Sequence, residues 1–303
     1  MEVEVSPAAA LQEVGEMLKK TKRWFLVTPL VVIILYCGIV GWFALNEPRF
    51  LYFPSKELVP PLPHLKLAHR QIEIRTNDHI KLACWIIPVP SADPSAVWMI
   101  YFHGNGGNVS HGAEKYAQLR DLGLHILAID YRGYGESEGE PSEPGLYTDA
   151  DAAYAYVRNV LGVPAHRIVL YGFSLGSAVA IDLATRAEVS GLIVEGAFTS
   201  IPDRGQELYP FLPVIFTARN RFASIEKIGL ITTPKLFIHA HDDEIIPIEY
   251  GRRLYDAAVE PKTFLEVRGG HNDSHFQDPA AYHDGLKGFL TESVSRERIP
   301  RSP

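Results

Sequence analysis

One stretch constrains this chain more than any other: Trp24 to Leu45, WFLVTPLVVIILYCGIVGWFAL, 22 residues without a charge. As a helix it is about 33 Å long at 1.5 Å per residue, which matches a hydrocarbon core of about 30 Å. Trp24 and Trp42 stand near its ends, where interfacial aromatics are expected. A buried core helix is the plain alternative, but such helices rarely run this far without a polar stripe. A cleaved signal peptide fits less well, because the run exceeds a typical h-region and no A-x-A-like site follows it. The bulky Tyr36 before Cys37 argues against lipoprotein-type processing. The expectation is one transmembrane helix at 24–45, a signal anchor. Lys19, Lys20, Lys22 and Arg23 crowd its N-terminal flank, whereas Arg49 and Lys56 are the basic residues close on the other side. The positive-inside rule then puts residues 1–23 in the cytoplasm and the bulk of the chain on the opposite side, whether periplasmic, extracellular or lumenal.

The flanks carry weaker signals. Ser6-Pro7 can cap and start a short helix with Leu11, Val14 and Leu18 on one face. Residues 46–69, with Pro48, Pro54, Pro60, Pro61 and Pro63, read as an extended linker. The polar end, 297–303, is expected to fray. Cys37 lies in the apolar run and Cys84 in a predicted strand, so no disulfide between them is expected. A net charge of −7 gives no support for nucleic-acid binding, which wants a basic face. The full 303 residues suffice for one large domain with a complete core.

From residue 70 the chain alternates. Strands are predicted at 71–75, 80–87, 97–102, 124–129, 167–171, 191–195, 235–239 and 263–267. The first two flank the turn signal Asn77-Asp78 and read as an antiparallel hairpin. The later ones are short continuous apolar runs, as suits strands buried on both faces. Helical patterns at 111–122, 147–161, 175–187, 247–258 and 279–291 separate them. The fold class is therefore α/β, a mostly parallel eight-stranded sheet with helices on both faces. A domain at 70–296 follows, with a short excursion at 198–230 as a small cap.

Gly172-Phe173-Ser174-Leu175-Gly176 falls between the strand RIVLY and the helical pattern SAVAIDLATRA. Alone, G-x-S-x-G occurs by chance in about one chain in ten of this length, since glycine makes up about 7% of residues. Between a strand and a helix it reads as a nucleophile elbow, where flanking glycines let strand and helix approach closely. A glycine-rich turn without chemistry is the plain alternative. A serine hydroxyl needs a base, and the base an orienting acid, in the chain order Ser, acid, His. Asp243, after the strand KLFIH, and His271, in GGHND after the last strand, suit those roles. Asp242 and Glu195 are rival acids, and His275 is a rival base.

His103-Gly104-Asn105-Gly106-Gly107-Asn108 follows the third strand. Such a turn can aim the backbone N–H of Asn105 at a tetrahedral oxyanion, with the N–H of Leu175 as second donor. His103 is expected to order the loop. A phosphate-binding loop is disfavoured, since no G-x-x-x-x-G-K-[ST] is present. The crowded HAHDD invites a metal reading, with His103 and His271 recruited as further ligands, but it leaves the elbow unexplained. No cofactor or metal is expected.

HGNGGN, DYRGYGES at 130–137, GFSLGS at 172–177, HAHDDEIIP and GGHND occur in one order. Together they resemble the α/β-hydrolase superfamily, and most closely its membrane-anchored α/β-hydrolase domain-containing or serine aminopeptidase-like members, over about residues 50–291. The resemblance implies Asp243 as acid, His271 as base, Asn105 as first oxyanion donor, and Asp130 with its glycines as a structural turn. Larger relatives carry a bigger lid than 198–230 can form. Its LYPFLPVIF segment reads as an amphipathic helix on the sheet or, more sharply, as an apolar flap over the site that admits acyl chains. The expected function is a serine esterase or acyl hydrolase acting on a small-molecule or lipid-like ester or thioester. A peptidase or amidase, and a non-catalytic membrane-tethered binding module, are the alternatives.

Overall fold

The computed structural model of the protein describes residues 7–89 and 96–296. The cap expected at Ser6 and the tail expected at 297–303 lie outside the described residues. The chain divides between Glu47 and Pro48 into two compact units.

In the first unit, helix α1 runs unbroken over Pro7–Leu45. The short helix expected before the apolar run and the run itself are thus one element. Within Gly15–Leu45 the mean hydropathy reaches 2.3, and none of that stretch is buried inside the protein. The helix is long and apolar enough to cross a membrane.

The second unit is built on eight strands: β1 (Arg70–Arg75), β2 (Lys81–Ile87), β3 (Val97–Phe102), β4 (Leu124–Ile129), β5 (Ile168–Phe173), β6 (Gly191–Glu195), β7 (Lys235–Ala240) and β8 (Lys262–Val267). They form one mixed sheet in the order β8-β7-β6-β5-β3-β4-β2-β1. The β1–β2 and β2–β4 pairs are antiparallel and the other five pairs parallel, so β2 alone runs against the rest. Alternate residues of the central strands feed two cores. Ile100, Phe102, Leu170 and Val194 face one, and Met99, Tyr101, Val169 and Ile193 face the other. That is why these strands read as continuous apolar runs: a side-chain period of two, buried on both faces.

Helices cover both cores: α2 (Ala113–Asp121), α3 (Glu143–Ala155), α4 (Leu175–Ala184), α5 (Ile201–Leu208), α6 (Ile248–Ala257), α7 (Ser274–Gln277) and α8 (Pro279–Arg296). Leu146 and Val179 pack into the first core, and Leu119 and Leu286 into the second. The chain passes from β3 outward to β4, then returns to place β5 on the other side of β3. Such a reversal opens a crevice at the carboxyl ends of β3 and β5, where ligands of open α/β sheets bind.

The proline-rich stretch 46–69 differs from the linker expected of it. Pro48–Leu51 forms a helical turn, Leu51 and Tyr52 are buried, and Phe53–Pro54 pairs in parallel with Gly106–Gly107. Proline is disfavoured in regular helix and strand interiors, but Leu51 and Tyr52 supply apolar surface that the first core takes up. The excursion 198–230 folds as α5 and short helical turns. Its Leu208, Phe211 and Phe216 are exposed, Phe216 to 88%.

Candidate active site

The Ser174 turn follows from two missing side chains. A Cβ on Gly172 would stand 2.3 Å from the Gly176 carbonyl oxygen, and one on Gly176 would stand 2.1 Å from that of Phe102. Only glycine lets α4 pack this close to β5 and β3. Ser174 itself adopts φ 53°, ψ −119°, a strained conformation for a residue with a side chain. It is pinned there from both sides. Its N–H donates to the Glu195 carbonyl (2.8 Å), and its own carbonyl accepts from the Ser177 N–H (2.9 Å) and hydroxyl (2.6 Å).

Asp243 and His271, from the loops after β7 and β8, meet at 2.7 Å between Oδ2 and Nδ1. Both are buried. Asp243 Oδ1 accepts from the N–H groups of Ile245 (3.0 Å) and Ile246 (2.7 Å). Burial pushes its carboxyl up, but hydrogen bonds from His239 and His271 outweigh that and hold it well below the usual carboxylate range. The carboxylate therefore stays ionised and fixes which His271 nitrogen carries a proton, leaving Nε2 as the basic one.

Ser174 and His271 line one cavity of about 640 Å³, together with the loop after β3. No hydrogen bond joins Ser174 Oγ to His271 among the described residues; contacts of this kind often tighten only when substrate binds.

The loop after β3 begins beside the elbow because Phe102 is paired with Gly172. Asn105 is held by three bonds: its carbonyl accepts from the Phe53 N–H (2.9 Å) and the Tyr134 hydroxyl (2.8 Å), and its Nδ2 donates to the Leu51 carbonyl (3.0 Å). Asn108 Nδ2 donates to the carbonyls of Ser55 and Glu57. Residues 51–57 therefore strap this loop, a role that a proline-rich sequence gave no sign of. Neither the N–H of Asn105 nor that of Leu175 is taken up by a protein acceptor among the described residues. His103 serves the loop, its Nδ1 bonded to the Gly104 carbonyl (2.7 Å) and its Nε2 lying 3.4 Å from Asp130. Asp130 Oδ1 also accepts from the Val109 N–H (2.6 Å).

The rivals fall elsewhere. Glu195 is buried against Lys115 Nζ at 2.7 Å and takes further bonds from Ser274, Tyr171 and Tyr282. Burial pushes its carboxyl up, and the Lys115 ammonium brings it below its ordinary value. His275 belongs to that group and not to Asp243. Asp242 is exposed. HAHDD does not gather as one ligand set: His241 turns outward to Glu266 (2.6 Å), while His239 Nε2 donates to the Ile246 carbonyl (2.8 Å), 3.4 Å from Asp243 Oδ2. Among the described residues no group of three or more His, Cys, Asp or Glu could hold a metal ion. No residue of 198–230 lines this cavity. Sequence reasoning missed Lys115, since a lysine inside a helical pattern reads as surface.

Sheet order, strained serine elbow and the His–Asp pair after the last two strands define an α/β hydrolase. Three comparisons agree. A model of the α/β hydrolase family matches residues 99–230. The chain is 33% identical over 228 residues to α/β hydrolase domain-containing protein 17B of Xenopus tropicalis, covering 73% of this chain and 74% of that one. It is 34% identical over 272 residues to α/β hydrolase domain-containing protein aho-3 of Caenorhabditis elegans, covering 84% and 77%. Among solved structures, the Pyrococcus furiosus esterase Pf2001 superposes with a TM-score of 0.67 at 21% identity, over 80% of this chain and 99% of that one, a likeness of fold. The chain belongs to the α/β-hydrolase family, among its α/β-hydrolase domain-containing proteins.

Proposed function

We propose that this protein is a membrane-anchored serine hydrolase that cleaves carboxylic esters or thioesters through Ser174, His271 and Asp243. The observation that carries this reading is the conjunction of a strained Ser174 and a buried His271–Asp243 pair on one cavity. His271 Nε2 takes the proton as Ser174 Oγ attacks the carbonyl carbon. The N–H groups of Asn105 and Leu175 receive the oxyanion, the leaving group departs with the proton from His271, and water resolves the acyl-enzyme by the same steps. Removing one oxyanion-hole donor raises the barrier by about 3–4 kcal/mol in a well-studied case. The chemistry calls for no cofactor. An ester or thioester is favoured over an amide by the esterase among the structural neighbours.

Helix α1 serves as the anchor, with 24–45 as the span. Residues 1–23 remain in the cytoplasm, and the hydrolase domain, with the strap 51–57 as its first part and 198–230 as a small cap, lies on the opposite side. The basic flank before the span supports that orientation. The apolar side chains exposed on the cap suit a surface that works against lipid.

A fluorophosphonate probe tests the reading. The wild-type chain should label and Ser174→Ala should not. Equal labelling of the two, or none of wild type, would sink it and leave a tethered binding module. A panel of matched esters, thioesters and aminoacyl amides then decides between esterase and amidase.

A further inference from the structure

DYRGYGES, the turn after β4, supplies no reacting group, yet its side chains grip the loop that does. Phe102 pairs with Ile129, so the loops after β3 and β4 leave the sheet side by side. The Tyr131 hydroxyl donates to the His103 carbonyl (2.8 Å), and the Tyr134 hydroxyl donates to the Asn105 carbonyl (2.8 Å). Between them, the Gly104 carbonyl accepts from His103 Nδ1 (2.7 Å). A carbonyl only accepts, so Nδ1 carries the proton of that bond. Three successive carbonyls of the loop are thus each tied to a ring. The rings also pack on one another, with centroids 4.5 Å apart for His103 and Tyr131, 5.2 Å for His103 and Tyr134, and 5.7 Å for Tyr131 and Tyr134. Rings attract at such spacings. All three residues are buried. Burial raises both phenols above their ordinary value, so each hydroxyl keeps the proton it donates.

The middle carbonyl decides what this arrangement does. The Gly104 carbonyl and the Asn105 N–H belong to one planar trans peptide, so they point in opposite directions. A bond that fixes the carbonyl also fixes the N–H, the first oxyanion donor proposed above. That peptide stands beside the nucleophile, since a Cβ on Gly104 would lie 3.4 Å from Ser174 Cβ. Unheld, it would turn easily, because Gly104 before Asn105 and Gly106 after it set few steric limits. The two tyrosine hydroxyls hold the neighbouring peptides, 103–104 and 105–106, so neither flank swivels freely. A donor of this kind is effective because its direction is set before charge develops.

We infer that Tyr131 and Tyr134, together with His103, are positioning residues for the proposed hydrolysis, holding the Gly104–Asn105 peptide so that its N–H is set for the oxyanion. The inference rests on the serine-hydrolase reading. Its test uses the full chain in detergent, with p-nitrophenyl butyrate as substrate, an alkyl trifluoromethyl ketone as inhibitor and fluorophosphonate labelling alongside. Ser174 Oγ adds to the ketone carbon, its proton passes to His271, and the ketone oxygen takes the negative charge, so affinity for the ketone reads the oxyanion donors. Tyr131→Phe removes one oxygen and keeps the ring. It should lower kcat about tenfold with KM within about twofold, and weaken the ketone by about the same factor as kcat. Tyr134→Phe, in which the Phe53 N–H still holds the Asn105 carbonyl, should lower kcat less, by about threefold. Tyr147→Phe, whose hydroxyl bonds Glu143 (2.8 Å) away from this loop, should leave kcat unchanged whatever it does to Tm. Where wild type labels, the positioning role alone is overturned by a folded Tyr131→Phe with unchanged kcat, by a loss carried in KM, by a loss of kcat without a matching loss of ketone affinity, or by an equal loss in Tyr147→Phe. If Tyr131→Phe does not fold by circular dichroism, the same measurements on Tyr134→Phe decide. If wild type neither labels nor cleaves the ester, the hydrolase reading fails and the positioning role with it.

Discussion

Lys115→Met removes one charge from the pair behind Ser174 while keeping most of the side-chain stem. Nζ and Oε2 lie 2.7 Å apart, with the Lys115 and Glu195 side chains 7% and 3% exposed. The variant leaves a buried carboxylate with only hydroxyl partners, Tyr171, Tyr282 and Ser274. Breaking a buried pair from one side costs about 3–5 kcal/mol. A domain of this size melts roughly 2–4 °C lower per kcal/mol, so Tm should fall by about 6–20 °C. The pH dependence has a definite sign. In the wild type the folded Glu195 value lies below its ordinary one, so its contribution is complete above the unfolded value and fades as pH falls through the folded one. In Lys115→Met burial acts unopposed by the ammonium, and the carboxyl rises above its ordinary value. The variant's deficit should then be larger at about pH 8 than at about pH 5, where protonation relieves the charge. Lys115→Met/Glu195→Gln should recover most of the loss. Thermal melts of the full chain in detergent at both pH values provide the measurement. A deficit under about 1 kcal/mol, or a double variant as unstable as the single one at the higher pH, would refute the reasoning.

Gly176→Ala should abolish turnover and lower Tm, because its Cβ would meet the Phe102 and His103 carbonyl oxygens at 2.1 and 2.6 Å, both of them backbone; full activity would contradict the close packing of α4. Asp243→Asn should lower ester kcat by about 10³–10⁴-fold while the protein stays folded by circular dichroism, since the amide favours the wrong His271 tautomer; a loss under about tenfold would remove Asp243 from the mechanism. A chain begun at residue 70 should express poorly and fail to label with fluorophosphonate, whereas one begun at Pro48 should fold. The shorter chain loses the buried Leu51 and Tyr52, about 1.5–3 kcal/mol for a side chain such as leucine, and the strap on Asn105. Phe211→Asp with Phe216→Asp should slow hydrolysis of long-chain esters presented in vesicles while soluble short-chain esters turn over as before; equal rates on both would show that the cap surface has no part in reaching lipid.

The eight strands were legible because each is a short apolar run bounded by turn residues, and period-two burial on both faces leaves that mark whatever the neighbours. The elbow was legible for a local reason: a sharp strand-to-helix turn needs glycine on both sides of Ser174. Chain order after it limited acid and base to a few candidates, and the apolar run gave α1. Tertiary structure decided what depends on meetings between distant residues. It set Asp243 rather than Glu195 beside His271, because the loops after β7 and β8 converge while α2 brings Lys115 to Glu195 across 80 positions of sequence. It turned a proline-rich stretch into a strap on Asn105, and it left the apolar cap residues at the surface. The Lys115–Glu195 pair, the strap and the placement of the cap have no sequence signature, since burial and pairing across the fold are fixed by packing and not by the residues next in line.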